Sequence, residues 1–144
     1  MCAQCAPGRF HDLAGQSTCK DCDVGRFQLL GGQSACIACD ARCEAGRMHE
    51  GCGGASAGTC ALCSSGKFKS IAGANHCEEC VPGQAMAGQG ALECNRCTPG
   101  QFQSAGGASQ CDYCDTYCPG GLYHTGCGGT EQGRCLECPA GQFS

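Results

Sequence analysis

Large apolar side chains recur along this chain singly, never as a continuous stripe. One stands two places after a glycine in seven of eight short units: Phe10, Phe27, Met48, Phe68, Phe102, Tyr123 and Phe143, with Ala85 in the remaining one. Those glycines (8, 25, 46, 66, 83, 100, 121 and 141) each come three places after a cysteine. A second glycine stands ten places after the same cysteine at 15, 32, 53, 73, 90, 107 and 128. Returns of this kind indicate a backbone requirement, most simply a positive φ in a Pro-Gly type turn. Two turns so close together leave room for a short two-stranded hairpin and nothing longer. The rings are expected to pack inside their modules, with Phe10, Phe27, Phe68, Phe102, Tyr123 and Phe143 as the packing aromatics. The unit 80–94, which has Ala85 and Met86 at this place, is expected to be the least well packed.

The cysteines carry the same register. Cys5, Cys22 and Cys39 are 17 residues apart, as are Cys63, Cys80, Cys97 and Cys114, while Cys39 to Cys63 takes 24. Adding 75 to any cysteine from Cys2 to Cys63 lands on another cysteine. Between 1–69 and 76–144 there are 28 identities, of which ten are Cys and eleven are Gly, so the frame repeats while the side chains on it vary. The expected division is a first block at 1–62, with modules 5–19, 22–36 and 39–60. A second block follows at 63–137, with modules 63–77, 80–94, 97–111 and 114–135, and a further module begins at 138–144.

Composition excludes a conventional core. Leu, Ile, Val and Phe number 16 in 144 residues, and there is no Trp. So little apolar surface cannot offset roughly 1–2 kcal/mol of backbone entropy per ordered residue. The 20 Cys and 25 Gly point to a covalent frame formed in an oxidising compartment, hence to an extracellular or cell-surface protein. The expected fold is small and disulfide-rich: an elongated tandem-repeat rod of short β-hairpins, with little helix and a minimal hydrophobic core. A net charge of −4 and the absence of a Lys/Arg cluster argue against nucleic acid as a partner. No apolar run approaches the ~18 residues of a membrane span. Met1 is followed by Cys2-Ala3-Gln4-Cys5, so a secretory signal is expected to lie outside this sequence.

Eight Cys-x2-Cys pairs could in principle take zinc two by two. Zinc would alternate closed and open loops, whereas the same Gly and Phe pattern fills every interval, and it would leave Cys43, Cys52, Cys118 and Cys127 without company. One disulfide rule serves all the intervals: Cys5–Cys19, Cys22–Cys36, Cys63–Cys77, Cys80–Cys94 and Cys97–Cys111. Each closes a loop for which chain entropy gives roughly 3 kcal/mol. The sets Cys39, Cys43, Cys52, Cys60 and Cys114, Cys118, Cys127, Cys135 admit three pairings each. Cys2 and Cys138 are left over, and their expected partners fall outside the chain, in a further module or a neighbouring copy.

The segment Cys5-Ala6-Pro7-Gly8-Arg9-Phe10, continuing through Gly15 to Cys19, resembles the one-bridge module of tumour necrosis factor receptor cysteine-rich repeats, and also the ephrin-receptor-like repeats. Cys39 to Cys60 is similar to the two-bridge module of the same receptors. That resemblance implies first-to-third and second-to-fourth pairing: Cys39–Cys52 and Cys43–Cys60, then Cys114–Cys127 and Cys118–Cys135. The opening C-x3-C departs from the receptors' usual C-x2-C, and the nested pairing Cys39–Cys60 around Cys43–Cys52 is the alternative.

No catalytic constellation, phosphate loop or metalloprotease motif occurs, and neither an enzyme activity nor a cofactor is expected. His49 and His124 stand at equivalent places and are expected to be half-buried packing or hydrogen-bonding groups. Asp21 and Asp23 flank Cys22 without the calcium loop that would make them ligands. There is no Asn-x-Ser/Thr sequon, so glycans, if carried, are expected to be O-linked. Two functions fit the sequence. The leading expectation is a structural protein that self-associates into a fibre, filament or surface coat through Gly-, Ala- and Gln-rich faces. The alternative is a receptor-like ectodomain or adhesion stalk that binds a protein ligand.

Overall fold

The structure, a computed structural model, describes residues 2–144. All regular structure among them is β-strand, arranged as seven antiparallel pairs. The short pairs are β1 (Arg9–Phe10) with β2 (Lys20–Asp21), β3 (Arg26–Phe27) with β4 (Ile37–Ala38), β7 (Lys67–Phe68) with β8 (Glu78–Glu79), β9 (Gln84–Ala85) with β10 (Asn95–Arg96), and β11 (Gln101–Phe102) with β12 (Asp112–Tyr113). Two longer hairpins interrupt them: β5 (Arg47–Gly53) with β6 (Ser56–Leu62), and β13 (Leu122–Gly128) with β14 (Glu131–Glu137).

Each module opens with a turn whose fourth amide returns to the first carbonyl, as in Arg9 N–H to the Ala6 oxygen at 3.1 Å and Gln84 N–H to the Val81 oxygen at 3.1 Å. The third turn residue is the recurrent glycine, with φ of +81° at Gly8 and +84° at Gly83, the type II turn geometry in which a Cβ is strained. The glycine carbonyl then accepts from the cysteine that follows the second strand, for example Cys22 N–H to Gly8 at 3.0 Å and Cys80 N–H to Gly66 at 2.8 Å. The sequence pattern thus encodes a closed unit in which turn and second strand are tied together, and a single disulfide spans the loop between the strands.

Nine disulfides lie in the chain. Five join cysteines 14 apart: Cys5–Cys19, Cys22–Cys36, Cys63–Cys77, Cys80–Cys94 and Cys97–Cys111. The four-cysteine segments are bridged as Cys39–Cys52 with Cys43–Cys60, and Cys114–Cys127 with Cys118–Cys135. Within each Cys-x2-Cys pair the two sulfurs therefore belong to different bridges or, at Cys2 and Cys138, to none in this chain.

Modules stack on their successors through the backbone. Besides the bond from each following cysteine to the turn glycine, such as Cys80 to Gly66, three hydrogen bonds join 63–77 to 80–94: Gly66 N–H to Met86 at 2.7 Å, Lys69 N–H to Ala91 at 3.0 Å, and Gly90 N–H to Cys63 at 2.8 Å. Equivalent trios join 80–94 to 97–111 (Gly83 to Gln103, Met86 to Ala108, Gly107 to Cys80) and 5–19 to 22–36 (Gly8 to Gln28, His11 to Gln33, Gly32 to Cys5). The junction from 39–60 to 63–77 also has three, with Cys43 and Gly73 exchanging both bonds. Beyond the cysteine-to-glycine bond, the junctions leading into 39–60 and 114–135 have one each, Gln28 to Gly54 and Gln103 to Gly129. Modules two apart touch as well, since a Cβ on Gly66 would overlap the Gly107 carbonyl and one on Gly46 would overlap that of Gly90.

The core is correspondingly thin: Cys63 and Cys80 are 1% exposed, Ala85 6% and Phe102 9%. Phe10, Phe27 and Phe68 are half-buried, and Lys20 Nζ lies 5.9 Å from the Phe10 ring centroid. Two sequence expectations are corrected here. The unit 80–94 holds two of the most buried residues, Cys80 and Ala85, rather than being the least packed, and its Met86 is hydrogen-bonded to both neighbouring modules, at Gly66 and Ala108. Phe143 is 96% exposed, and Tyr123 on the surface of β13 is 42% exposed, so neither packs inside its module as expected.

Polar side chains complete what the apolar ones cannot. Gln28 and Gln103, one place after their rings, are buried and bond both ways inside their own loops. Gln28 Nε2 donates to Ala35 and its Oε1 accepts from Leu30, and Gln103 does the same with Gln110 and Ala105. Lys69 takes that place in its module, 3% exposed, and its ammonium donates to the carbonyls of Arg47 at 2.8 Å and Gly73 at 2.7 Å. A buried polar group is tolerated only when so satisfied.

Candidate protein-binding surface

The distribution of apolar side chains is inverted relative to a globular domain. Of eleven Leu, Ile and Val residues, nine are exposed: Leu13, Val24, Leu29, Leu30, Ile37, Leu62, Ile71, Val81 and Leu92. Disulfides and backbone hydrogen bonds hold the modules, so these side chains are released from the core and face water.

The two four-cysteine segments present this outside differently on one frame. In both, the long hairpin closes with matched register, Arg47 opposite Leu62 in one and Leu122 opposite Glu137 in the other. His49 and His124 are half-buried, each ring lying where a Cβ on the facing glycine, Gly58 or Gly133, would have to sit, at 2.6 Å from Cε1. They pack against the glycine of the opposite strand. An Asp turns the loop before the second cysteine in the same way: Asp40 Oδ1 accepts from Arg42 N–H at 3.1 Å, and Asp115 Oδ1 accepts from Tyr117 N–H at 3.0 Å.

Their surfaces diverge. Around 39–60 the exposed set includes Arg26, Arg42 and Arg47; Arg26 and Arg47 each place a guanidinium nitrogen on a cysteine carbonyl, at 3.4 and 3.2 Å, without a carboxylate partner. At the places 75 residues later stand Gln101, Tyr117 and Leu122. Tyr113 replaces Ala38, and Tyr123 replaces Met48, so all three tyrosines of the chain belong to the second region. Tyr113 and Tyr117 are each 82% exposed.

A further cavity of about 470 Å³ lies by the amino-terminal module, with Cys2, His11, Leu13 and Gln33 in its wall. His11 Nε2 is buried there without a hydrogen-bond partner. Neither feature is legible in the residue pattern, since His11 sits in the position that Gln28 and Gln103 fill elsewhere.

This is a linear stack of disulfide-stapled hairpins whose side chains serve the outside. Residues 8–47 match the family described as tyrosine-protein kinase ephrin type A/B receptor-like. Among solved structures, a chain of the human RANKL/OPG complex is similar at 20% identity with a TM-score of 0.37, over 96% of this chain and 91% of that one. No curated protein sequence matches the chain. The ephrin-receptor-like match over 8–47 and the tandem disulfide modules fit the cysteine-rich repeats that the sequence resembles. No helix among the described residues is long and apolar enough to cross a membrane.

Proposed function

We propose that this chain is part of a receptor-like ectodomain or adhesion stalk, outside the cell, that binds a protein ligand along the outer surface of its modules. The observation that carries this reading is the inversion of the apolar residues. A covalent frame that does not need Leu, Ile and Val inside keeps nine of them in water, the raw material of an interface. The ephrin-receptor-like match over 8–47 supports it, and neither the fold nor the match supports the self-associating fibre, which yields to this reading. The role is binding rather than catalysis.

The test is to image and sediment the natively secreted, never-reduced protein, then screen it against a displayed library of extracellular proteins. Isolated monomers that capture a defined partner are the expected result. Regular filaments with an axial repeat and no captured partner would restore the fibre.

A further inference from the structure

The second four-cysteine region combines three features on one exposed segment that runs from β12 into the 114–135 module. Tyr113 and Tyr117 are four residues apart, within about 14 Å of each other even if extended. Each stands next to a disulfide-bonded cysteine, Cys114 or Cys118, and the Asp115 turn fixes the chain between them. The rings therefore project from a backbone that is already ordered, which lowers the entropy cost of engaging them.

The charged residues near them in the sequence are mostly acidic, and Asp112 Oδ2 lies 3.5 Å from Gln103 Nε2. Asp112, Asp115, Glu131 and Glu137 stand against Arg134 alone between Cys111 and Glu137, and no Lys or Arg occurs from Cys97 to Gly133. Asp112 replaces Ile37 of the first region, and Glu131 and Glu137 replace Ser56 and Leu62. Where the chain satisfies a ring with its own cation it does so at Phe10, through Lys20; the two exposed tyrosines have no such partner. An electron-rich ring face beside a carboxylate is matched best by a planar guanidinium, which stacks on the ring and donates in a fork to the acid.

From this combination we propose that the exposed segment Asp112–Tyr117, which leads from β12 into the 114–135 module, is a docking surface for an arginine-bearing segment of a protein ligand. It rests on the ligand-binding reading above and names the partner's chemistry. Arginine is preferred over lysine, whose compact, strongly hydrated ammonium neither stacks nor forks.

The chain supplies its own reporter, because it has no Trp and all three tyrosines lie in this region, so intrinsic tyrosine emission reads the proposed surface directly. The probes are two capped peptides, one alternating Arg and Gly and the other alternating Lys and Gly, titrated at near-physiological salt. The Arg peptide is expected to change the emission saturably and to bind at least ~10-fold more tightly than the Lys peptide. Tyr113→Ala with Tyr117→Arg installs the residues of the first region, Ala38 and Arg42, which the same frame accepts there. That variant, which keeps only Tyr123 and is therefore titrated by calorimetry, is expected to keep its nine disulfides and lose the Arg preference; Tyr117→Phe is expected to retain it, and Asp112→Asn with Asp115→Asn to weaken binding and flatten its salt dependence.

Equal binding of both peptides, or binding indifferent to the tyrosine substitutions, would reduce the effect to general charge attraction and overturn the proposal. So would association between copies that is lost on changing Arg26, Arg42 and Arg47, since the occupant would then be a second copy. A partner from the library that ignores the loop exchange leaves the ligand-binding reading standing and removes this surface from it. Filaments without any captured partner would remove the ligand-binding reading itself.

Discussion

Six junctions join the seven disulfide-closed modules, and they are of two kinds. All six share a bond from the following cysteine to the turn glycine; beyond it four carry three backbone hydrogen bonds, and the two that lead into 39–60 and 114–135 carry one each, with a parallel bridge between Phe27 and Gly54 or Phe102 and Gly129. The cause is local. In a one-bridge module the loop glycine, such as Gly90 or Gly107, has a free amide to give to the leading cysteine of the module before. In a four-cysteine module that part of the chain is folded into a hairpin seven residues a side, with Gly53 opposite Ser56 and Gly128 opposite Glu131, and it meets the preceding module only at its tip. The segment 39–111 is therefore one tightly stacked run, with a looser connection before it and another after it. Extra covalent bracing within a module comes with weaker coupling to the module it follows.

The largest effect is expected from breaking a bridge inside the tight run. Cys63→Ala with Cys77→Ala removes a disulfide whose first sulfur is wholly buried, and a loss of roughly 2–5 kcal/mol is expected. Denaturant unfolding would measure it, and the same pair of changes at Cys22 and Cys36, beside a loose junction, should be felt over fewer protected amides in hydrogen exchange. A smaller loss outside the tight run together with an equal spread of exchange would contradict the distinction.

Glycine positions separate conformation from contact. Gly66→Ala puts a methyl group into the Gly107 carbonyl as well as straining φ of +78°, and roughly 2–4 kcal/mol is expected. Gly100→Ala has a φ of +85° with nothing within 4 Å, and about 1–2 kcal/mol is expected from conformation alone. Thermal unfolding of the two variants side by side gives the difference, which should vanish if modules two apart do not touch.

Lys69→Met keeps the buried stem but leaves the Arg47 and Gly73 carbonyls without the ammonium, for an expected loss of about 1–3 kcal/mol. Amide exchange at Gly46 and Gly73, which span that junction, should accelerate more than exchange at Gly107.

The smallest effect concerns the exposed pair Asp12 and Lys20, 2.9 Å apart in the first module. The hydrogen bond from Lys20 holds the Asp12 carboxyl below its ordinary value. A depressed carboxylate stabilises the fold above the ordinary carboxylate range, and that contribution is lost as pH falls through the lowered value. Asp12→Asn should remove this shallow acid dependence without changing stability elsewhere, as read from unfolding midpoints across the acid range.

Much of this molecule was written in the spacing of two residue types. Cysteine and glycine registers mark the turns, the short strands and the loop each one-bridge disulfide closes, because positive φ and loop closure are local demands that one residue in a fixed place can meet. The same reasoning misplaced the packing. A lone Ala85 suggests a void when its module is considered by itself, yet it is buried, and the residue after it is bonded to the modules on both sides. Lys69 gives no sign in the sequence of being a buried cation, since its acceptors are backbone carbonyls, one of them 22 residues away. The separation of tight from loose junctions likewise depends on which amides remain unpaired after each module has folded. The sequence alone determined the repeating covalent frame; the tertiary structure decided which side chains that frame covers and which, Tyr113 and Tyr117 among them, it leaves exposed, because burial is a property of the stack and not of the module.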